Sequence, residues 1–345
     1  RYAYDLFKAK GRNDSEIFFL ATDSSLDGFD GEATKRNLEY GITQWANEYL
    51  QKEHVSQVLT LYLVDHGGPD VFYLDNLNQE VLTSGDLDAW LSELEGEFPD
   101  LLVNVIIEAC RAGSFINRHN GSISSEGRVI ITSSNESYDA YVSRNGAAFS
   151  DEFITFLWAD HHLFYSFQAS SHSVQQHHRY QRPWLDADGD GIPNEADDFA
   201  IASLRSFANV GTLSSTWPPY IASVNVTSTN TASQFQLRAD VRHQFGNESI
   251  SEVWGVVYPP DYIPPTGEAA YEDDGELNAE SLDIIEFNAA DETQALYIGA
   301  DDTVFTQMGV YRIVVYARDR NGLQARPVTV EVEVGHRVFL PTVSR

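Results

Sequence analysis

Along the first half of the chain the apolar positions switch between two periods. Residues 59–64 (Leu59-Thr60-Leu61-Tyr62-Leu63-Val64), 101–108 and 128–133 are near-continuous apolar runs of strand length. Between them apolar residues recur at helical spacing: Leu38, Ile42, Trp45, Ala46 and Tyr49 within 34–52, then Leu87, Trp90, Leu91 and Leu94 after Ser84. A further helix is predicted over 149–158, a short buried strand over 16–21, and a hairpin from 71–74 and 80–82. Thr83 with Asp86 has the spacing of a capping box. Apolar strands alternating with helices predict an α/β domain built on a mostly parallel sheet covered on both faces.

After Trp217-Pro218-Pro219 the helical period disappears. Short alternating runs take over at 221–227, 235–241, 253–258, 296–298, 310–317 and 328–334, separated by turns such as Asp319-Arg320-Asn321-Gly322. This pattern predicts a C-terminal β-sandwich. The chain therefore divides into a domain over 1–184, an acidic loop over 185–200, a linker over 201–218 and the sandwich over 219–345. Tyr4, Leu6 and Phe7 open the chain as an amphipathic helix already under way, stopped at Gly11. We therefore expect further residues upstream of Arg1.

Composition narrows the function. With 345 residues and 42% hydrophobic content, each half can bury its own core. Acidic residues outnumber basic ones 52 to 22, for a formal charge of −30, a field that repels nucleic acid and favours divalent cations. No apolar run reaches the length of a membrane span. The single cysteine, Cys110, excludes an intrachain disulfide.

Two acidic or histidine-rich segments read first as ordinary surface. Residues 23–31 form a solvated turn by default, and 161–178, with five histidines, a partly exposed polar helix with metal binding a distant second. The run 186–197 is different, because carboxylates at alternating positions followed by glycine have the spacing of a calcium loop. In that reading Asp186, Asp188 and Asp190 are side-chain ligands of a structural Ca2+ and Ile192 offers its carbonyl. Asn194 ligates directly or through water, and Asp197 closes the site. The closing aspartate makes the run resemble the loops of dockerins and thrombospondin type 3 repeats.

The candidate chemistry lies where two strands end. The run 59–64 breaks at Asp65-His66-Gly67-Gly68-Pro69, and 101–108 breaks at Ala109-Cys110-Arg111-Ala112-Gly113-Ser114. In parallel sheets the working groups sit beyond the carboxyl ends of the strands, so an imidazole and a lone thiol arrive at one edge. DHGG after one strand and EACRAGS after the next resemble the legumain-like cysteine peptidases, peptidase family C13, of the caspase–hemoglobinase fold group. The resemblance covers residues 2–181. It implies a caspase-like sheet, with Cys110 as nucleophile, His66 as base, and the N–H groups of Gly67 and Cys110 as oxyanion hole. Gly113 and Ser114 match the family turn, whereas Ala112 stands where serine is usual. Glu108 and Asp65 match as residues that orient loops. The specificity pocket falls to 132–138, with Ser134 and Glu136 as candidates and a family arginine expected upstream of this chain, which leaves asparagine, aspartate and basic residues all open as the preferred side chain.

The continuation into the acidic run and an Ig-like tail, whose residues 311–319 resemble the penultimate strand of bacterial Ig-like modules, looks like a bacterial exported branch of the group. The expectation is a secreted or cell-surface cysteine endopeptidase acting on protein or peptide substrates, with a self-processing or cell-surface partner upstream. The rival is a surface adhesion or scaffold protein whose peptidase-like domain is inactive.

Overall fold

A computed structural model describes residues 2–52, 58–75, 80–116, 121–143, 146–159, 161–178, 180–207, 218–228, 235–262, 282–290, 295–301 and 303–335. The chain divides into two compact units, the first over residues 1–216 and the second over most of 217–345. No helix among the described residues is long and apolar enough to cross a membrane.

The first unit begins with α1 (Tyr2–Ala9), β1 (Leu20–Ala21) and β2 (Gly31–Glu32), followed by α2 (Lys35–Tyr40) and α3 (Ala46–Lys52). α1 ends in a Schellman motif: Arg12 N–H reaches Phe7 O and Gly11 N–H reaches Lys8 O, with Gly11 at φ +87°. A single π turn, Gly41–Trp45, makes α2 and α3 one continuous rod. Of the strand expected over 16–21 only β1 forms, paired in parallel with β2. The apolar residues before it pack rather than pair: Phe18 stacks on Trp45 and Phe19 tilts against Tyr4.

Next come β3 (Val58–Val64), β4 (Gly67–Gly68), β5 (Val71–Asp75), β6 (Glu80–Thr83), α4 (Ser84–Glu97) and β7 (Leu102–Glu108). They are followed by β8 (Arg128–Thr132), β9 (Val142–Ser143), β10 (Gly146–Ala147), α5 (Ala148–Trp158), α6 (Leu163–His177), β11 (Trp184–Asp186) and α7 (Ala196–Ala202). The central sheet has the order β11-β8-β7-β3; β3, β7 and β8 run parallel, and β11 returns antiparallel to β8.

β7 is buried on both faces, which is why its sequence is apolar except at Asn104 and Glu108. Val103, Val105 and Ile107 join Ile42, Ala46, Leu50, Leu87, Leu91 and Leu94 in one core against the rod and α4. Asn104 and Glu108 face the other side, where Asn104 donates to Thr60 Oγ1 and Ser206 O and Glu108 meets α5. The Thr83–Asp86 capping box forms and starts α4. Arg128 is fully buried at the start of β8 and binds Glu95 through two nitrogens at 2.8 and 2.6 Å, with Asp88 at 2.7 Å.

The histidine-rich segment is helical, as α6, but one side of it is not exposed: Phe167, Ser166, Ser170, Ser173 and Val174 are buried. Residues 201–207, the start of the expected linker, are packed on the first unit. Thr60 donates to Phe207 O, Arg205 donates to Gly127 O, and Phe207 stacks on Phe7.

The second unit contains β12 (Tyr220–Ser228), β13 (Phe235–Arg242), β14 (Ile250–Tyr258), β15 (Ile284–Ala289), β16 (Leu296–Gly299), β17 (Gly309–Asp319) and β18 (Val328–Val334). The expected two-sheet sandwich is instead one antiparallel sheet of order β12-β13-β16-β15-β14-β17-β18, curled around its core. β15 pairs with both β14 and β16 and so joins the halves. The edge strands β12 and β18 approach one another without pairing. Strict alternation fills the interior: Phe235, Leu237, Ala239 and Val241 from β13 meet Tyr311, Ile313, Val315 and Ala317 from β17.

Candidate active site

The register of two strands builds this site. β3 and β7 pair from Val58↔Leu102 to Val64↔Glu108, and Asp65 N–H extends the ladder to Glu108 O at 3.2 Å. His66 and Cys110 each lie two residues past that last pair. The chain then turns back, with Gly67 and Gly68 as β4 pairing β5, and Tyr73 N–H on His66 O. Gly67 lies directly against the cysteine loop: a Cβ there would meet Cys110 O at 2.5 Å and Ala109 Cβ at 2.8 Å. Ser114 ties the two loops, accepting from Asp70 N–H at 2.8 Å and donating to Arg111 O at 2.7 Å. The Nδ1 of His66 is buried and has no hydrogen-bond partner among the described residues.

Cys110 is only 2% exposed, and its thiol donates to Ala140 O at 3.6 Å. The segment after β8 covers the loop. Arg111, in the left-handed region at φ +56°, gives its N–H to Tyr138 O and pairs its guanidinium with the buried Asp139 at 3.6 Å. Burial pushes the Asp139 carboxyl up, against the pull of Arg111. Gly113 is pinned under Asn135 and Glu136, where a Cβ would stand 2.7 Å from their backbone and from the Trp184 ring.

Ser134, expected to line a substrate pocket, is fully buried: its hydroxyl donates to Ala109 O at 2.8 Å and accepts from Ala112 N–H at 3.1 Å. It braces the cysteine loop and presents nothing to a substrate. Glu136 is half-buried beside Gly113.

Glu108 is buried behind the thiol loop. Its Oε2 accepts from Ser150 N–H at 2.7 Å and Ser150 Oγ at 2.6 Å, and Ser150 Oγ in turn accepts from Tyr62 OH at 2.7 Å. Burial raises its pKa to about 7, with Asp151 adding to the rise, against the hydroxyls of Ser150 and Ser133, which favour the ionised form.

Farther along, the carboxylates of Asp186, Asp188 and Asp190 lie within 4.8 Å of one another. Asp186 is fully buried, accepts from Ser124 Oγ and Gly191 N–H, and has its pKa raised to about 6, first by burial. Gly189, at φ +80°, passes so close to Ser125 that a Cβ would stand 2.4 Å from its carbonyl carbon. Ile192, whose carbonyl was the expected donor, has an exposed side chain.

Asn194 and Asp197 do not join this cluster. Asn194 is spent on the backbone, accepting from Leu185 N–H and donating to Pro183 O. Asp197 is exposed on the first turn of α7. The buried acid at this turn is Asp198 rather than Asp197, and it braces the loop by accepting from Ala187, Asp188 and Glu195 N–H groups. Sequence spacing missed it, although Glu195-Ala196-Asp197-Asp198 carries the signature of a helix start.

A PKD domain of an M14-like peptidase from Thermoplasmatales archaeon SCGC AB-540-F20 is similar over 35% of this chain and 100% of its own, at 15% identity and a TM-score of 0.22, too slight a likeness to bear on the fold. No curated protein matches the chain. The model of the peptidase C13 family matches residues 43–182, from α2–α3 to the end of α6 and just beyond. That span holds β3, β7 and β8 with both loops at their edge, and it is over these residues that the chain is similar to the C13 peptidases.

Proposed function

We propose that the first unit is a cysteine-type endopeptidase on a caspase-like sheet, with Cys110 as nucleophile and His66 as its base. The observation that carries this is the shared register of β3 and β7, which sets both residues the same distance past Val64↔Glu108. A thiol is a weak nucleophile until its proton is removed, and we assign that proton to His66 Nδ1, which has no hydrogen-bond partner among the described residues. The thiolate attacks the scissile carbonyl carbon, forming the C–S bond and moving an electron pair onto oxygen. Gly67 and Cys110 N–H groups receive that oxyanion. The imidazolium returns the proton to the leaving amine as the C–N bond breaks, and water then hydrolyses the thioester.

Access to Cys110 requires the segment at 138–141 to yield, because Ala140 O holds the thiol. Glu136 remains our candidate for the pocket. The scaffold reading draws on the same burial of Cys110.

Three carboxylates converging within 4.8 Å are a hard-oxygen donor set that suits Ca2+. We assign Asp186, Asp188 and Asp190, with the Ile192 carbonyl, as its holders; the ion would neutralise the buried Asp186 and the two half-buried carboxylates crowded against it. Such a loop, on a chain of charge −30, suits secretion or the cell surface, where calcium is abundant.

Two measurements test the catalytic reading. A peptide-library digest by the chain, with Cys110→Ala as blank, should show cleavage that the blank lacks. Labelling of Cys110 by an electrophile should slow in His66→Ala. Labelling indifferent to His66, with no cleavage of any library member, overturns it in favour of a scaffold.

A further inference from the structure

We propose that Glu108 is a positioning residue: its carboxylate caps α5 and thereby holds the segment that closes over Cys110 to the strand that carries Cys110. This rests on the peptidase reading above for its functional meaning, while its geometry stands alone.

The first turn of any helix leaves N–H groups without partners, and a side chain at the N-cap usually takes one of them. At α5 the N-cap is Ala147, which has no side chain able to do so. Glu108 supplies the missing acceptor from the neighbouring strand, taking both the N–H and the hydroxyl of Ser150, the third residue of the helix. A negative group at this end also meets the favourable end of the helix dipole. Tyr62 of β3 joins through Ser150 Oγ, so one carboxylate links β3, β7 and α5. The titratable groups facing it are Tyr62 from β3 and Asp151 from α5.

The consequence for the thiol follows from chain order. The cover over Cys110 comes from Tyr138 and Ala140, and Ala148 N–H then fastens α5 to Tyr141 O. The cover is thus anchored at one end by the cysteine loop and at the other by the start of α5. Glu108 sits two residues from Cys110 in the chain and binds the start of α5 directly. It fixes the distance between nucleophile and cover. Burying a carboxylate is costly unless its oxygens are satisfied, and Ser150 at the start of α5 is what satisfies Oε2 here.

The test compares wild type, Glu108→Ala and Glu108→Gln in three readouts: alkylation of Cys110 by iodoacetamide, hydrolysis of a peptide cleaved by wild type, and the melting temperature. Release of the cover in Glu108→Ala should speed alkylation on the order of tenfold, the effect of one lost charged hydrogen-bond pair on a local opening, while hydrolysis falls. Glu108→Gln, which keeps an acceptor oxygen and fits the same space, should fold, alkylate a few-fold faster and recover part of the hydrolysis. If Glu108→Ala does not fold, Glu108→Gln carries the test. Alkylation at the wild-type rate in every folded variant overturns the proposal. Faster alkylation in a chain whose wild type cleaves no peptide supports the positioning role and overturns the peptidase reading instead.

Discussion

Gly67 stands against Cys110 with no room for a side chain: a Cβ would lie 2.5 Å from the Cys110 carbonyl oxygen, inside any real contact distance. The clash is with backbone, so no rotamer change relieves it. Gly67→Ala should therefore push the histidine loop off the cysteine loop, costing about 1–3 kcal/mol as overpacking does. If Gly67 N–H helps hold the oxyanion, kcat should fall by about 100-fold or more. Urea melts and steady-state hydrolysis separate the two, and an unchanged kcat in the folded variant removes Gly67 from the oxyanion hole.

Glu108 makes stability depend on pH in an unusual direction. Its folded pKa of about 7 is above the ordinary 4.5, so between those values the native state holds a proton that the unfolded chain has lost. The contribution is present in full below pH 4.5 and declines as pH rises to about 7. The decline is worth roughly 3 kcal/mol if the whole shift is realised. Glu108→Gln cannot ionise, so the difference in unfolding free energy between variant and wild type should grow in the variant's favour from pH 4.5 to 7 and then level off. A difference independent of pH would mean that this carboxyl is not the titrating group.

What could be read from the chain alone followed from burial. β7 and β8 carry the unbroken apolar stretches 105–107 and 129–131 because both faces of the sheet are covered, and they were legible for that reason. β15 was missed because only Ile285 and Phe287 face the interior, in a short strand lying next to acid-rich sequence. Ser134 looked like a pocket residue, since no local pattern shows that its hydroxyl bridges Ala109 and Ala112, 25 and 22 residues earlier. The register of His66 with Cys110 was legible in kind, because two apolar strands each ended in a small-residue loop. The cover formed by Tyr138 and Ala140 was not, because it is made of backbone carbonyls, which every residue has.

Arg128 illustrates a buried charge that the core depends on. Its side chain is fully enclosed and holds Glu95, Asp88, Ser92 and Ile123 O together across β8 and α4. Arg128→Met keeps the bulk and removes the donors. Glu95 and Asp88 are partly solvated, at 21% and 41% exposure, so they recover some hydration. The expected loss is roughly 2–4 kcal/mol, read from the midpoint of urea unfolding. Loss of less than about 0.5 kcal/mol would place Arg128 with surface ion pairs in energetic terms.

The acidic loop separates carboxylates that converge from polar residues that brace its backbone. Asp186, Asp188 and Asp190 converge, whereas Asn194 and Asp198 are committed to backbone N–H and C=O groups of the loop itself. Under our assignment, Ca2+ at 100 times its Kd should stabilise the chain by about 2.7 kcal/mol, and chelation should lower the melting temperature accordingly. Asp188→Ala should melt at one temperature with or without calcium, having lost the site. Asp197→Ala should keep the full calcium response, because that side chain lies exposed on α7. Asn194→Ala should lower the melting temperature with and without calcium alike, since its amide braces Pro183 and Leu185 rather than an ion. A calcium response lost in Asp197→Ala as well as in Asp188→Ala would return Asp197 to the ligand set that the sequence spacing gives, and a response kept in Asp188→Ala would overturn the cluster as the site.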